Sequence, residues 1–382
     1  MNGRRIIPLL AHGGLYGSGA GFTVVHTWGM FTRGCLEPDS DALEVVCRQL
    51  AELAERTAVE GPWRSGAFAV LARQGVLAGF IPEESGGTEA GEATLLVVIT
   101  AIAERCLTTA LALTQWASAV RVIAGGPPEI RAGLLPPLAR GDTLTTVGIS
   151  QLTTSRQHVG TPALTATPQA DGSWRLDGLC PWVTGADASD TIVTGAASAD
   201  GGQLFFVVPT DAAGLEIEPP LEMLALSGSR TSVVRFRGVR PLAAIEPPVG
   251  GPRTGGLATT AVALGATRAS IAVLHAEAER RPQLAAIVSG LGAEVGELAS
   301  QLAEAAANGI DAAARDRVRA DANGLVVRAA QAALTATKGA GFVRGHAVER
   351  LARESLFFLV WSCPQAVATA TLCELAGLTA AT

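Results

Sequence analysis

The cysteines and histidines are the side chains best suited to metal binding or nucleophilic chemistry, and their spacing argues against both. Six cysteines and five histidines are spread along the 382-residue chain, with no CxxC pair, no HxxxH pair and no Cys/His cluster. Structural metal sites and disulfide frameworks need such clusters. The sequence therefore predicts no metal site, thiols that act as small apolar side chains, and a reducing, cytoplasmic location.

Charge and composition exclude further classes of function. Hydrophobic residues make up 48% of the chain and charged residues 17%, which is typical of a globular protein with a large core rather than a disordered chain. The net charge is −6 and no long basic run is present, so nucleic acid is not an expected partner. The absence of a GxGxxG motif argues against a nicotinamide-binding domain.

The first 35 residues differ from the rest of the chain. Arg4 and Arg5 precede a short apolar run that Pro8 and several glycines interrupt, so the run is too short for a membrane span. No membrane partner is predicted. We expect residues 1–35 to be a disordered leader or to lie upstream of the true start, with Met30 as a candidate initiator.

Apolar periodicity divides the remaining chain into three parts. Residues 36–142 carry helical patterns, including an almost wholly apolar stretch from Glu92 to Ala124. Residues 143–250 hold short β-branched or aromatic runs between Gly, Asp and Pro clusters, which predicts a small, mostly antiparallel β-domain. Residues 251–382 return to Ala-rich helical patterns, with the last helix expected from Val348 to about Ala376, and predict a bundle.

Five local sequence motifs occur in a fixed order along these parts. They are LPPLARG at Leu135–Gly141, GSWRLDG at Gly172–Gly178, PWVTG at Pro181–Gly185, KGAGF at Lys338–Phe342 and ERLARE at Glu349–Glu354. In this order, over residues 38 to 375, the chain resembles the acyl-CoA dehydrogenase family. The resemblance implies an α+β, mainly α fold: an N-terminal helical domain, a central antiparallel β-domain and a C-terminal four-helix bundle. It also implies FAD as the cofactor and a homodimer or homotetramer.

Part of the implied FAD site lies on the β-domain. Ile149 and Ser150 fall where the family presents backbone groups and a hydroxyl to the flavin ring. Trp182 aligns with a tryptophan that packs beside that ring, Val183 follows it, and Thr184 aligns with a threonine whose hydroxyl reaches flavin N5. The structural alternative is that Trp182 is a core residue of a strand and Ser150 a turn former.

The rest of the implied FAD site lies on the C-terminal helices. Arg281 aligns with an arginine that contacts the FAD diphosphate of the adjacent subunit, while Gly339 and Gly341 would allow the backbone close to the adenosine. A solvated arginine at a helix end and an ordinary glycine cap are the alternatives. Leu284 and Gly292 depart from the family's phenylalanine and glutamine.

The family's catalytic carboxylate is missing from both of its usual positions. Ser362 replaces the glutamate near the end of the last helix, and Gly255 and Gly256 occupy the other position at the start of the bundle. A serine without an activating partner cannot remove a weakly acidic C–H proton. The catalytic residue is therefore unknown from the sequence.

Three other carboxylates are candidates for a relocated base. Glu354 precedes Ser362 by eight residues and is expected to pair with Arg350. Asp187 and Asp190 follow the Trp182 segment and are expected to be turn residues.

Three functions agree with these residues. The first is a FAD-dependent oxidoreductase that acts on the CH–CH group of an acyl-CoA-like substrate and passes electrons to an electron-transfer flavoprotein. The second is a flavin-dependent monooxygenase of the same fold, served by a flavin reductase, which needs no α-proton removal. The third is a non-catalytic paralogue that serves as a binding or partner subunit.

Overall fold

The computed structural model describes residues 41–63, 66–153, 162–198, 201–247, 256–361 and 363–378. The predicted leader, residues 1–35, lies outside them. The first described part is helical. Its helices are α1 (Asp41–Glu60), α2 (Ala67–Arg73), α3 (Glu92–Arg105), α4 (Leu107–Ala124) and α5 (Pro128–Arg140).

The apolar stretch predicted between Glu92 and Ala124 forms the helix pair α3 and α4. Cys106 takes an extended conformation (φ −153°, ψ 100°) and separates the two helices. Most residues of both helices are buried, because each packs against other elements on several sides. Together they form the middle of the main hydrophobic core, which continues into the C-terminal helices.

The middle part of the chain forms one eight-stranded sheet. The strands are β1 (Thr145–Gly148), β2 (Leu164–Pro168), β3 (Trp174–Val183), β4 (Thr191–Ser198), β5 (Gln203–Pro209), β6 (Leu215–Ile217), β7 (Ser232–Val239) and β8 (Ala243–Ile245). A four-residue helix, α6 (Ser150–Thr153), follows β1. The sheet order is β6-β7-β3-β2-β4-β5-β8, and β1 pairs with β4. The pairs β1–β4 and β2–β4 are parallel and the other five are antiparallel, so the predicted, mostly antiparallel sheet is confirmed.

The last part of the chain is again helical. It comprises α7 (Leu257–Arg280), α8 (Ala285–Asn308), α9 (Ala312–Gly341), α10 (Ala347–Ser355) and α11 (Gln365–Leu375). Helix α7 packs on α3, α8 and α9. A Cβ at Gly265 would overlap the carbonyl oxygen of Thr100, so this close approach of α7 to α3 requires glycine. The predicted α+β, mainly α architecture is confirmed.

The prediction of one continuous helix from Val348 to about Ala376 is wrong. Helix α10 ends at Ser355, a 3₁₀ turn follows over Leu356–Leu359, and α11 begins only after Pro364. Proline lacks the N–H that a helix interior uses and disfavours the helical conformation of the residue before it, so Pro364 favours a new helix start at α11.

Among the residues that the structure describes, one helix, α7, is long and apolar enough by composition to span a membrane. In its most apolar window 72% of the residues are buried inside the protein. Such burial is typical of a central bundle helix, which is apolar because it is surrounded by other helices.

Candidate functional site

A cavity of about 1520 Å³ lies where the three parts of the chain meet. Helices α3 and α4 form one wall, and the β1 and β3 ends of the sheet form a second. The start of α7 and the segment after α10 form a third, with Thr259, Phe357 and Trp361 among their contributions. A site assembled from segments this far apart in sequence requires the whole fold.

The end of strand β3 presents Trp182 and Thr184 to this cavity. The pairing of β3 with β7 shifts register between Cys180 and Val183, and such a bulge redirects side chains at a strand end. The Trp182 side chain is 49% exposed, whereas Val183 is fully buried. The alternative of Trp182 as a core residue is therefore wrong, and Val183 contributes its side chain to the sheet core instead of the cavity wall.

A chain of three hydroxyl groups begins at Thr184. Its Oγ1 lies 3.2 Å from Oγ1 of Thr231, which also lines the cavity, and Thr231 Oγ1 lies 2.9 Å from Oγ of Ser229. The Thr146 hydroxyl donates to the Thr184 carbonyl oxygen at 2.7 Å and fixes the backbone there. All four residues are buried. The Thr184 hydroxyl is therefore oriented by Thr231 and shielded from bulk water.

Ile149 and Ser150 follow β1 and line the same cavity. The next residue, Gln151, is buried, and its Nε2 donates to the carbonyl oxygens of Gly148 (3.2 Å) and Gly195 (2.8 Å). Its Oε1 accepts a bond from the Cys180 thiol at 3.0 Å. Gln151 therefore joins β1, β3 and β4 below the cavity, a role that sequence reasoning missed because an isolated glutamine carries no motif.

Arg281, Gly339 and Gly341 lie together at another place, where α7 and α9 end. The Arg281 guanidinium donates to Glu277 Oε2 at 2.6 Å and to the Ala336 carbonyl oxygen, so it is not the solvated arginine of the alternative interpretation. A Cβ at Gly341 would overlap the Thr337 hydroxyl, whereas nothing lies within 4 Å of a Cβ at Gly339. None of the three lines the cavity of this chain.

None of the three candidates for a relocated base, Asp187, Asp190 and Glu354, lines the cavity. Asp187 accepts bonds from the Arg230 guanidinium, and Asp190 accepts the Leu144 N–H at 2.7 Å. Glu354 is buried away from the cavity lining. Ser362 lies outside the described residues, while Gly256 lines the cavity without a side chain to offer.

Glu354 does not form the expected ion pair with Arg350. Within the described part of the chain, the ion pair on α10 joins Arg353 to Glu349 at 2.6 Å. Burial raises the pKa of Glu354 to about 7, and the positive charges of Arg350 and Arg353 only partly oppose this effect. The i, i+4 spacing predicted the wrong pair because Glu354 faces inward and Glu349 is nearer the surface.

Three carboxylates that sequence reasoning missed do line the cavity: Glu92, Glu222 and Glu246. Glu92 begins α3, Glu222 lies between β6 and β7, and Glu246 follows β8. All three are exposed at the cavity surface. No sequence signal marked them, because each lies on a different element and only the tertiary fold brings them to one cavity.

A buried arginine supports the aromatic wall. The rings of Phe357 and Trp361 stack with centroids 5.5 Å apart. Behind them Arg319, 1% exposed, donates to the Thr259 and Trp361 carbonyl oxygens, with its guanidinium 5.4 Å from the Trp361 ring centroid. Burial lowers the pKa of Arg319 to about 10, so it still carries its charge at neutral pH. Arg319 therefore ties α9 to the start of α7 and to the segment that precedes Ser362.

Comparisons with known proteins agree with the resemblance seen in the sequence. Residues 40–142 match the family model for the acyl-CoA dehydrogenase N-terminal domain. The chain is 24% identical over 346 residues to the probable acyl-CoA dehydrogenase YngJ of Bacillus subtilis. The alignment covers 81% of this chain and 88% of that protein.

Solved structures share the fold. Glutaryl-CoA dehydrogenase from Mycobacterium smegmatis, in complex with FADH2, superimposes with a TM-score of 0.71 at 18% identity, covering 92% of this chain and 100% of that one. KijD3, in complex with FMN and an amino-keto sugar linked to dTDP, gives a TM-score of 0.68 at 20% identity, covering 92% and 97%. The architecture expected from the five motifs is thereby confirmed.

Proposed function

Because the chain belongs to the acyl-CoA dehydrogenase family, we propose that it is a FAD-dependent oxidoreductase acting on the CH–CH group of an acyl-CoA-like thioester. The observation that carries the proposal is the pairing of an exposed indole, Trp182, with a buried and oriented hydroxyl, Thr184, on one cavity wall. An aromatic plane beside a hydroxyl donor suits a flat redox ring that becomes more negative when reduced.

The residues present fit a flavin ring. A half-exposed tryptophan facing a cavity leaves a large apolar surface uncovered, which a flat ring would cover. Ile149 and Ser150 border the same space. FAD would supply a two-electron acceptor there, while Trp182 excludes water and Thr184 donates a hydrogen bond to the ring.

The diphosphate and adenosine of FAD would meet Arg281, Gly339 and Gly341 of a second copy of the chain. These residues lie together but outside the cavity that holds Trp182. The FAD site would therefore be complete only in a homodimer or homotetramer. Arg281 would exchange its contact with Glu277 for a phosphate, because a planar guanidinium can donate two parallel hydrogen bonds to a phosphate.

Oxidation of a CH–CH bond requires a base in the cavity. The α-proton leaves to a carboxylate, and the hydride from the β-carbon leaves to the electron acceptor, so that a double bond forms. We assign the base to one of Glu92, Glu222 and Glu246, the carboxylates that line the cavity in the described part of the chain. An electron-transfer flavoprotein would be the external electron acceptor, and the cytoplasm is the proposed location.

A flavin-dependent monooxygenase is the second candidate. Gly256 at the cavity and Ser362 in the sequence leave both of the family's usual base positions without a carboxylate. KijD3, bound to FMN and an amino-keto sugar linked to dTDP, has the same fold, so this fold also holds flavin together with a ligand that is not an acyl-CoA. This candidate requires molecular oxygen and an external flavin reductase.

Absorbance spectroscopy of the purified protein tests the proposal. We expect a yellow protein that takes up FAD, and loss of the oxidised-flavin band when an acyl-CoA is added without oxygen. Loss of that band only with a flavin reductase, followed by oxygen-dependent product, identifies the monooxygenase. A colourless protein that takes up no FAD contradicts both and identifies a non-catalytic binding subunit.

Two Trp182 variants make the test specific to the proposed ring site. Trp182→Ala removes the aromatic plane, and we expect it to weaken FAD binding roughly tenfold, about 1.4 kcal/mol. Trp182→Phe keeps a plane and restores most of the affinity. Equal FAD affinity in Trp182→Ala and the unaltered protein would show that the ring binds elsewhere.

A further inference from the structure

One wall of the cavity carries a row of polar side chains on helix α4. Thr114, Gln115, Ser118 and Arg121 of α4 all line the cavity. The spacing 114, 118 and 121 places three of them along one helical face. The row runs from Thr114, 4% exposed, to the exposed Arg121. Twelve of the 18 residues of α4 are buried, and nine of these twelve are apolar.

Hydrogen bonds within the row orient its members. The Thr114 hydroxyl donates to the Leu111 carbonyl oxygen at 2.7 Å, and the Ser118 hydroxyl donates to the Thr114 carbonyl oxygen at 2.8 Å. Gln115 Nε2 donates to Thr114 Oγ1 at 3.2 Å. Because only one N–H of the Gln115 amide is used in this way, its carbonyl oxygen and second N–H can bond to a ligand. The Ser118 hydroxyl oxygen can still accept a hydrogen bond.

The lining next to this row is apolar. Leu95, Leu96 and Ile99 of α3 line the cavity on the same wall. A saturated acyl chain would pack well on that wall but would take water away from Gln115 and Ser118 without replacing its hydrogen bonds. Leaving such groups unpaired costs about 1–3 kcal/mol, and sites of this kind strongly reject analogues that lack the polar atom.

We propose that the substrate of this site carries a hydrogen-bonding substituent, a hydroxyl or amino group, on its acyl part, and that Gln115 and Ser118 recognise it. The inference rests on the proposed function, since it takes the cavity as the acyl-binding space. It deepens that function by excluding unsubstituted fatty acyl groups as the preferred substrate.

A matched pair of thioesters tests this substrate class. 4-Hydroxybutyryl-CoA and pentanoyl-CoA have chains of equal length and differ by a hydroxyl in place of a methyl group. 4-Aminobutyryl-CoA is the third probe. Dissociation constants are measured with the flavin-loaded protein from the change in the flavin spectrum or in tryptophan fluorescence. We expect the better of the two substituted thioesters to bind at least about tenfold more tightly than pentanoyl-CoA.

Variants of the polar row test whether its side chains cause the preference for substituted thioesters. Gln115→Leu should abolish the preference while leaving pentanoyl-CoA binding equal or tighter, and Ser118→Ala, a smaller change, should reduce it. Gln331→Leu, at an exposed position of α9, is the matched control and should leave it unchanged.

The outcomes separate this inference from the function on which it rests. Equal or tighter binding of pentanoyl-CoA by the unaltered protein overturns the inference and leaves the proposed function standing. A preference that survives in both Gln115→Leu and Ser118→Ala overturns it as well. If no thioester binds to the protein and none reduces the flavin, the proposed function itself is overturned.

Discussion

The hydroxyl oxygens of Thr184 and Thr231 lie 3.2 Å apart at the cavity wall, although the two residues are 47 positions apart in sequence. The pairing of β3 with β7 brings them together, since Val183 lies opposite Ser232. Ser229 extends the contact with a third buried hydroxyl at 2.9 Å from Thr231. The direction in which Thr184 can donate a hydrogen bond therefore depends on a residue of another strand end.

Valine substitutions test this hydroxyl chain, because valine keeps the shape of threonine and removes the hydroxyl. We expect Thr184→Val to slow flavin reduction by an acyl thioester roughly 10- to 100-fold, since a donor to developing negative charge is lost. Thr231→Val should slow it only a few-fold, because Thr184 keeps its hydroxyl but loses its orientation. Anaerobic stopped-flow absorbance measures both rates.

Thr165→Val is the matched control for these two variants. Thr165 lies on an exposed position of β2, where its hydroxyl donates to the Asp177 carbonyl oxygen. The rate of flavin reduction in Thr165→Val should equal that of the unaltered protein. If flavin reduction were slower in Thr231→Val than in Thr184→Val, Thr184 would not be the hydroxyl that contacts the ring.

The three cavity carboxylates allow a direct search for the base. We expect one of Glu92→Gln, Glu222→Gln and Glu246→Gln to lower the rate of flavin reduction by a factor of about 10² or more. The other two should change it little, because glutamine keeps the size of glutamate and removes only the basic oxygen. Glu129→Gln, at an exposed position of α5, is the control. Full activity in all three variants would exclude α-proton removal by these groups and favour the monooxygenase.

The order of elements could be predicted from the sequence because it depends on local periodicity. The apolar run from Glu92 to Ala124 and the β-branched runs before Pro248 each match one type of element. The break after Ser355 was missed, since the apolar residues around it continue a helical spacing until Pro364. Periodicity describes which face is buried and is insensitive to a short 3₁₀ turn.

The candidate site could be predicted only where a motif exists. The PWVTG motif lies at the end of β3, and its Trp182 and Thr184 line the cavity, while their contact with FAD stays a prediction. Glu222 and Gln115 have no motif, and their position at the cavity depends on how a loop and a helix from different parts of the chain pack together. Tertiary packing of this kind leaves no pattern in one sequence.

Arg319 should contribute strongly to stability. It is buried and donates to two backbone carbonyl oxygens, Thr259 and Trp361, which would lose their charged donor. We expect Arg319→Ala to lower the free energy of unfolding by about 3 kcal/mol, as measured by urea denaturation. Arg317→Ala, an exposed position of the same helix, should change it by less than about 0.5 kcal/mol. Equal stability of the two variants would show that Arg319 contributes no net stabilisation.

Glu354 should make the protein less stable as the pH rises. Burial raises its pKa in the folded protein to about 7, above the ordinary value of 4.5, and the negative charge of Glu349 adds to the effect. Arg350 and Arg353 act in the opposite direction. At this carboxyl the folded state therefore binds more protons than the unfolded state between these two pH values, so the contribution of Glu354 to stability is greatest below about pH 4.5 and falls up to about pH 7.

Glu354→Gln should remove this dependence, because glutamine resembles the neutral acid at every pH. The shift corresponds to about 3 kcal/mol of unfolding free energy across that interval. Urea denaturation at a series of pH values measures the slope for the variant and for the unaltered protein, with Glu129→Gln as an exposed control. A slope that is unchanged in Glu354→Gln would show that this carboxyl titrates near its ordinary value, and that its surroundings admit water or an ion-pair partner in solution.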